Sequence, residues 1–153
     1  MQEEPYDYND GRCNLIDIRL CPDGVVYFGR CFTFVSEEKD WLKAEAHCQN
    51  LAPGSHLASM HCKKQFDIIT SSVSKVDGKI KYFWIGLNDM KKEGTYVWVD
   101  GSPTDFTKWQ KNEPNNAGNE DCVYIQGKGK AGWNDVRCEL QYPFVCSHKV
   151  PCD

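Results

Sequence analysis

Tyr82-Phe83-Trp84-Ile85-Gly86-Leu87 is a short aromatic and aliphatic run that reads as a β-strand, and it marks where the chain changes character. Three segments of the same kind follow: TYVWVD at 95–100, CVYI at 122–125 and PFVC at 143–146. Before it the pattern is helical. Residues 40–49 set Trp41, Ala44 and Cys48 at helical spacing behind Asp40 as a cap, and Ala52-Pro53-Gly54 ends the segment. A second helix is expected from about Lys63 to Ser74, where Phe66, Ile69 and Val73 share one face. Asp77-Gly78 then supplies a turn. Further upstream, Val25 and Tyr27, then Cys31, Thr33 and Val35, alternate behind Pro22-Asp23-Gly24, which suggests a short strand pair. The expected order is a strand pair, two helices and a late sheet, in the α+β class.

Between the second and third aromatic segments, Gly101 to Asp121 is rich in Pro, Asn, Gly and Asp and is too long for an ordinary hairpin. Loops of that length in small domains are commonly functional. Glu113, Asn115 and Glu120 lie in or beside it, and Asn134-Asp135 follows after Trp133. These five oxygen-bearing side chains, without thiolate or imidazole beside them, suit a hard cation. Ca²⁺ takes six to eight such ligands, whereas Mg²⁺ keeps more of its waters.

The chain has 153 residues, a length that fits one domain with a sizeable core. Nine cysteines with no C-x-x-C pair favour disulfides over zinc, and hence a secreted, extracellular setting. A formal charge of -4 with scattered lysines argues against a nucleic-acid partner. No apolar stretch reaches the roughly 18–20 residues of a transmembrane segment, and the start MQEEPYDYND is too acidic for a signal peptide. The expectation is a chain from which an export signal or an anchor has been removed. Residues 1–20 read as a tail and residues 21–153 as the compact domain. No N-x-S/T sequon is present.

Gly127, Gly129 and Gly132 match a dinucleotide fingerprint in spacing, but they lead into Trp-Asn-Asp rather than a helix. The four histidines show no H-E-x-x-H spacing, and Ser55 and Ser59 lie in no nucleophile-elbow context. Trp84, Trp98 and Trp109 read as core rather than ligand platforms, and Trp133 as either. Glu113 and Glu120 resemble a glycosidase pair, yet calcium ligation would keep both ionised. An enzyme is not expected.

Residues 21–149 resemble a long-form C-type lectin-like domain in several motifs taken in order. These are Cys21 and Cys31; Trp41-x-x-Ala44-x-x-x-Cys48; Trp84-Ile85-Gly86-Leu87; Glu113-Pro114-Asn115; Glu120-Asp121-Cys122; Trp133-Asn134-Asp135; Cys138; and Phe144-Val145-Cys146. The resemblance implies two helices packed on small antiparallel sheets, with bridges Cys21–Cys31, Cys48–Cys146 and Cys122–Cys138. It leaves Cys13, Cys62 and Cys152, for which we expect a Cys62–Cys152 bridge and Cys13 linking chains into a homo-oligomer.

The resemblance further implies that Glu113, Asn115, Glu120, Asn134 and Asp135 surround one Ca²⁺ and also bind sugar. Asp89, Glu93, Asn116 and Asp121 match an auxiliary calcium site that braces the loop. In the family the Glu-Pro bond is cis, and the order Glu then Asn goes with mannose-type sugars: mannose, N-acetylglucosamine (GlcNAc) and fucose. The implied partners are such glycans on glycoproteins or microbial surfaces. Carboxylates only accept hydrogen bonds while amides also donate, so alternating Glu and Asn can satisfy two vicinal hydroxyls. The family also contains members that bind protein, ice or mineral instead of sugar. Arg137 is within reach of a second saccharide in this reading, although a solvated arginine is the plainer expectation.

Overall fold

Trp84 sits at the centre of a computed structural model that describes residues 21–115, 119–127 and 131–150. Its strand, β4 (Tyr82–Asn88), is buried on both faces. Phe83, Ile85 and Leu87 point into one core cluster, with Trp98, Val123, Ile125, Trp133 and Phe66. Trp84 points into the other, with Trp41, Tyr124 and Phe144. The alternation is the ordinary period of two. Gly86 is required by close approach: a Cβ there would stand 2.7 Å from the Leu57 carbonyl oxygen and 2.9 Å from Val99 Cγ1. Two of the buried indoles near it are satisfied, because Trp84 Nε1 donates to the Lys39 carbonyl at 2.8 Å and Trp41 Nε1 to the Ile85 carbonyl at 2.9 Å.

The remaining elements are the strands β1 (Gly24–Tyr27), β2 (Arg30–Lys39), β3 (His56–Leu57), β5 (Val97–Trp98), β6 (Cys122–Gln126), β7 (Gly132–Val136) and β8 (Tyr142–Lys149), and the helices α1 (Trp41–Leu51) and α2 (Lys63–Val76). Both helices lie where their periodicity predicts. Asp40 caps α1 by accepting from the Lys43 amide at 2.8 Å. Phe66, Ile69 and Val73 form the buried face of α2. The strands join in the order β1-β2-β8-β4-β6-β7, with β3 on β8 and β5 on β4. The small antiparallel sheets of the expectation are thus one connected network. Trp84 meets Phe144 in a parallel pairing of β4 with β8, which joins the half built on β2 to the half built on β6.

The expected strand over 95–100 is shorter than its composition suggests. Only Val97 and Trp98 pair, with Asn88 and Leu87, before the Gly101 amide turns back onto the Trp98 carbonyl at 3.0 Å. Three disulfides form as the resemblance implies: Cys21–Cys31, Cys48–Cys146 and Cys122–Cys138. The expected Cys62–Cys152 bridge is corrected. Cys62 is a free thiol whose Sγ accepts from the Gln65 amide at 3.4 Å and so caps α2. Cys13 and Cys152 lie outside the described residues.

Candidate metal and ligand site

The site is assembled on the β6–β7 hairpin. Its register sets Tyr124 opposite Asn134 and Val123 opposite Asp135, and the Cys122–Cys138 bridge ties the start of β6 to the end of β7. Because neighbouring residues of a strand face opposite ways, Asn134 and Asp135 leave β7 on different sides. Asn134 Nδ2 donates to the Tyr124 hydroxyl at 3.4 Å. Asp135 is fully buried, and Tyr96 donates its hydroxyl to Oδ2 at 3.2 Å.

The long loop reaches this hairpin along β7. Trp133 donates its amide to the Lys108 carbonyl at 2.8 Å, and Gln110 donates its amide to the Trp133 carbonyl at 3.0 Å. Gly132 allows that approach, since a Cβ would lie 2.7 Å from Gln110 Cγ and 3.0 Å from the Lys108 carbonyl. A turn from Gln110 to Glu113 follows, with the Glu113 amide on the Gln110 carbonyl at 3.0 Å. The Glu113-Pro114 bond is cis. The Asn115 amide then donates to Asp135 Oδ1 at 3.0 Å, and Asn115 Nδ2 to Glu113 Oε2 at 3.4 Å.

Glu113 Oε1 is buried and meets no donor. Burial raises the Glu113 carboxyl above its usual range, and the Asp135 carboxylate it contacts and the nearby Glu120 charge raise it further. Acceptor facing acceptor is unfavourable unless a shared proton or a cation lies between. The same condition recurs next door. The ligand oxygens of Asp89, Glu93 and Asp121 lie within 4.8 Å of one another, and Asp89 Oδ1 and Asp121 Oδ1 are buried without donors. A hydrogen bond to Asp89 is the largest cause raising Glu93, and burial is the largest cause raising Asp121. Gly94 donates its amide to Asp89 Oδ2 at 2.9 Å, and the Asp89 amide bonds the Asp121 carbonyl at 3.0 Å.

The structure therefore gathers Glu113, Asn115 and Asp135 in direct contact, with Glu120 within electrostatic reach and Asn134 on the adjoining face of β7. It gathers Asp89, Glu93 and Asp121 separately, while Asn116 lies outside the described residues. Arg137 is exposed. Oxygen donors with unmatched buried charge are the chemistry a hard cation fits.

Sequence reasoning missed two features. One is Tyr96, whose hydroxyl is invisible to any hydrophobic pattern. The other is an array around the buried Ser59 and His61, in which His61 Nδ1 lies 2.8 Å from Oδ1 of the exposed Asp105 and His61 Nε2 lies 3.1 Å from Ser59 Oγ. Ser, His and Asp stand there in the order of a nucleophilic triad. Ser59 is 1% exposed and gives its hydroxyl hydrogen to Asp100 at 2.5 Å, so neither access nor proton direction suits attack. The array pins the start of the long loop, at Asp100 and Asp105, to the segment ahead of α2.

Residues 37–148 match the family described as the Lectin C-type domain. The chain belongs to the C-type lectin family. Among its relatives, a C-type lectin mannose-binding isoform of Oxyuranus scutellatus is 40% identical over 132 residues, 82% of each chain. Among solved structures, the C-type carbohydrate-recognition domain of cow CD23, determined in the presence of GlcNAc2Man3 oligosaccharide, is 35% identical with a TM-score of 0.74. The match covers 86% of this chain and 98% of that one. A calcium-independent type II antifreeze protein is 29% identical, also with a TM-score of 0.74, over 86% and 95% of the two chains. The C-type lectin fold thus accommodates both a glycan-associated domain and an antifreeze protein. Among the described residues, no helix is long and apolar enough to cross a membrane.

Proposed function

We propose that this C-type lectin is an extracellular, calcium-dependent binder of mannose-type sugars and not an enzyme. Glu113, Asn115, Glu120, Asn134 and Asp135 would hold the cation and meet the sugar, and Asp89, Glu93, Asn116 and Asp121 an auxiliary ion. The observation that carries the reading is the Glu113–Asp135 contact, with Glu113 Oε1 buried without a donor and the Asn115 amide on Asp135, because near neutrality, where carboxylates ionise, a cation between them relieves it. The mannose-binding snake relative supports the sugar class. Three disulfides support an oxidising compartment.

Mannose-agarose tests it. The protein is expected to be retained in calcium and released by EDTA, and retention indifferent to EDTA overturns the reading. The antifreeze relative favours a second reading, a calcium-independent ice binder. It gains if mannose retention is absent and ice growth is shaped in EDTA.

A pH dependence follows from the raised carboxyls of Glu113 and Asp121. A carboxyl whose folded pKa is raised stabilises the metal-free fold fully below its unfolded value, and that contribution is lost as pH rises through the folded value. Calcium should therefore matter most near neutrality and least in acid, where protons replace it. At a calcium level about 100 times Kd, the thermal midpoint near pH 7.5 is expected to rise by roughly 5–10 °C. Near pH 4.5 the rise should largely vanish. Scanning calorimetry with and without EDTA reads both, and an equal shift at both pH values contradicts the assignment.

A further inference from the structure

We propose that Tyr96 is a positioning residue for the cation site: its hydroxyl holds the Asp135 carboxylate in the orientation that takes calcium, without ligating the ion itself. The inference rests on the calcium reading above. Asp135 is fully buried on β7, and two protein donors from different parts of the chain grip it. The Asn115 amide reaches Oδ1 at 3.0 Å and the Tyr96 hydroxyl reaches Oδ2 at 3.2 Å. The first belongs to the loop that delivers Glu113 and Asn115. The second comes from the segment between Glu93 and β5, so it fixes Asp135 from outside that loop.

The tyrosine is itself held on two sides. Its ring packs edge-on against Trp109 at 4.9 Å, and its carbonyl accepts from Thr104 Oγ1 at 3.2 Å. Trp109 in turn packs edge-on against Trp133, the neighbour of Asn134 in β7. The hydroxyl is thereby anchored to the same frame as the carboxylate it serves. Burial raises its ionisation well above the ordinary value, and the nearby charges of Asp135, Asp89 and Glu93 add to this, so the hydroxyl remains a donor.

A donor on a carboxylate acts in two opposing ways on cation binding. It draws off some negative charge, which weakens attraction, and it removes the orientational freedom the carboxylate would otherwise lose on binding. Here a third factor decides the sign. The Asn115 amide on Asp135 Oδ1 belongs to the same loop as Glu113, and Tyr96 holds Oδ2 from outside that loop, so losing the hydroxyl lets the carboxylate shift with the loop out of the orientation that takes the ion. Orientation therefore outweighs charge withdrawal.

The test is a calorimetric calcium titration of the wild-type chain, Tyr96→Phe and Ile69→Val. Tyr96→Phe deletes the hydroxyl and keeps the ring on Trp109. It is expected to weaken calcium binding about tenfold, the scale of one hydrogen bond to a charged group. Most of the loss should appear as faster calcium release into a chelator. Ile69→Val trims the buried face of α2, which carries none of the proposed ligands, so it should lower the thermal midpoint in EDTA while holding Kd within about twofold. Unlike a general loss of stability, a change in Kd measured on folded protein reports on the site. An unchanged or tighter Kd in Tyr96→Phe overturns the proposal, as does an equal weakening by Ile69→Val. A wild-type protein that takes up no calcium overturns the calcium reading itself, and this proposal with it.

Discussion

Replacing Glu113 by Gln is expected to abolish calcium-dependent retention on mannose while making the metal-free protein slightly more stable. The two effects share one cause. In the metal-free site the Glu113 carboxylate faces Asp135, feels Glu120, and carries a buried Oε1 that meets no donor. An amide of nearly the same shape removes a negative charge and supplies an N–H for Asp135. The gain is limited because the side chain is only half-buried. After allowance for solvent screening it should be on the order of 1 kcal/mol, about 2–4 °C in the thermal midpoint in EDTA. Calcium loses a charged ligand, and affinity in oxygen-donor sites follows ligand charge over several decades. A fall of roughly 100-fold in calcium affinity is expected. Calorimetry in EDTA and a calcium titration give the two readings. A lower metal-free midpoint would make Glu113 a structural residue, and an unchanged calcium Kd would remove it from the ligand set.

The sequence was most legible where one residue type repeats at a fixed spacing against one environment. Phe66, Ile69 and Val73 announce the buried face of α2, and Asp40 announces the start of α1, because both signals are local. Residues 82–87 read as a strand from composition. Their Gly86 could not be explained without the Leu57 carbonyl, which arrives from 29 positions upstream. Likewise, Glu113, Asn115 and Asp135 were recognisable as cation-type donors from chemistry and family pattern. Their contact depends on strand register and on the Trp109–Trp133 bridge, which no periodicity encodes.

The unread features have the same explanation. Tyr96 meets Asp135 across 39 positions, and Ser59 meets Asp100 across 41. A tyrosine in an aromatic segment looks like core, and a buried serine looks like filler, until the partner is located. Cys62 misled by its parity. An odd leftover thiol invites pairing, but at the start of α2 its sulfur is occupied as a cap. The segment 95–100 misled through propensity, since aromatic and β-branched residues favour strands but cannot supply a pairing partner beyond Trp98.

Removing the Cys48–Cys146 bridge is expected to cause the largest loss of stability of any change considered for this chain, yet to spare calcium affinity. The bridge links α1 to β8 over a separation of 98 residues, and both sulfurs are buried. In the chain-entropy treatment, closing a loop of that length stabilises by about 4.7 kcal/mol, against about 3 kcal/mol for the 16-residue separation of Cys122–Cys138. With total stabilities typically of about 5–15 kcal/mol, Cys48→Ala with Cys146→Ala should leave a protein that folds well only when cool. The bridge joins α1 and β8, elements that carry none of the proposed ligands, so molecules that remain folded should bind calcium as the parent does. Cys122→Ala with Cys138→Ala should invert the pattern. It costs less in global stability, but it frees the β7 end that carries Asn134 and Asp135 from the β6 end beside Glu120 and Asp121. Calcium affinity should then fall by about tenfold or more, because ligands from separate strands must be ordered on binding. Urea denaturation in EDTA ranks the stabilities, and calcium titration at low temperature ranks the affinities. If both double variants lose affinity equally, the Cys122–Cys138 bridge has no special hold on the site. If the Cys122–Cys138 variant is the less stable, loop length does not govern the stabilisation, and strain or packing at the buried sulfurs does.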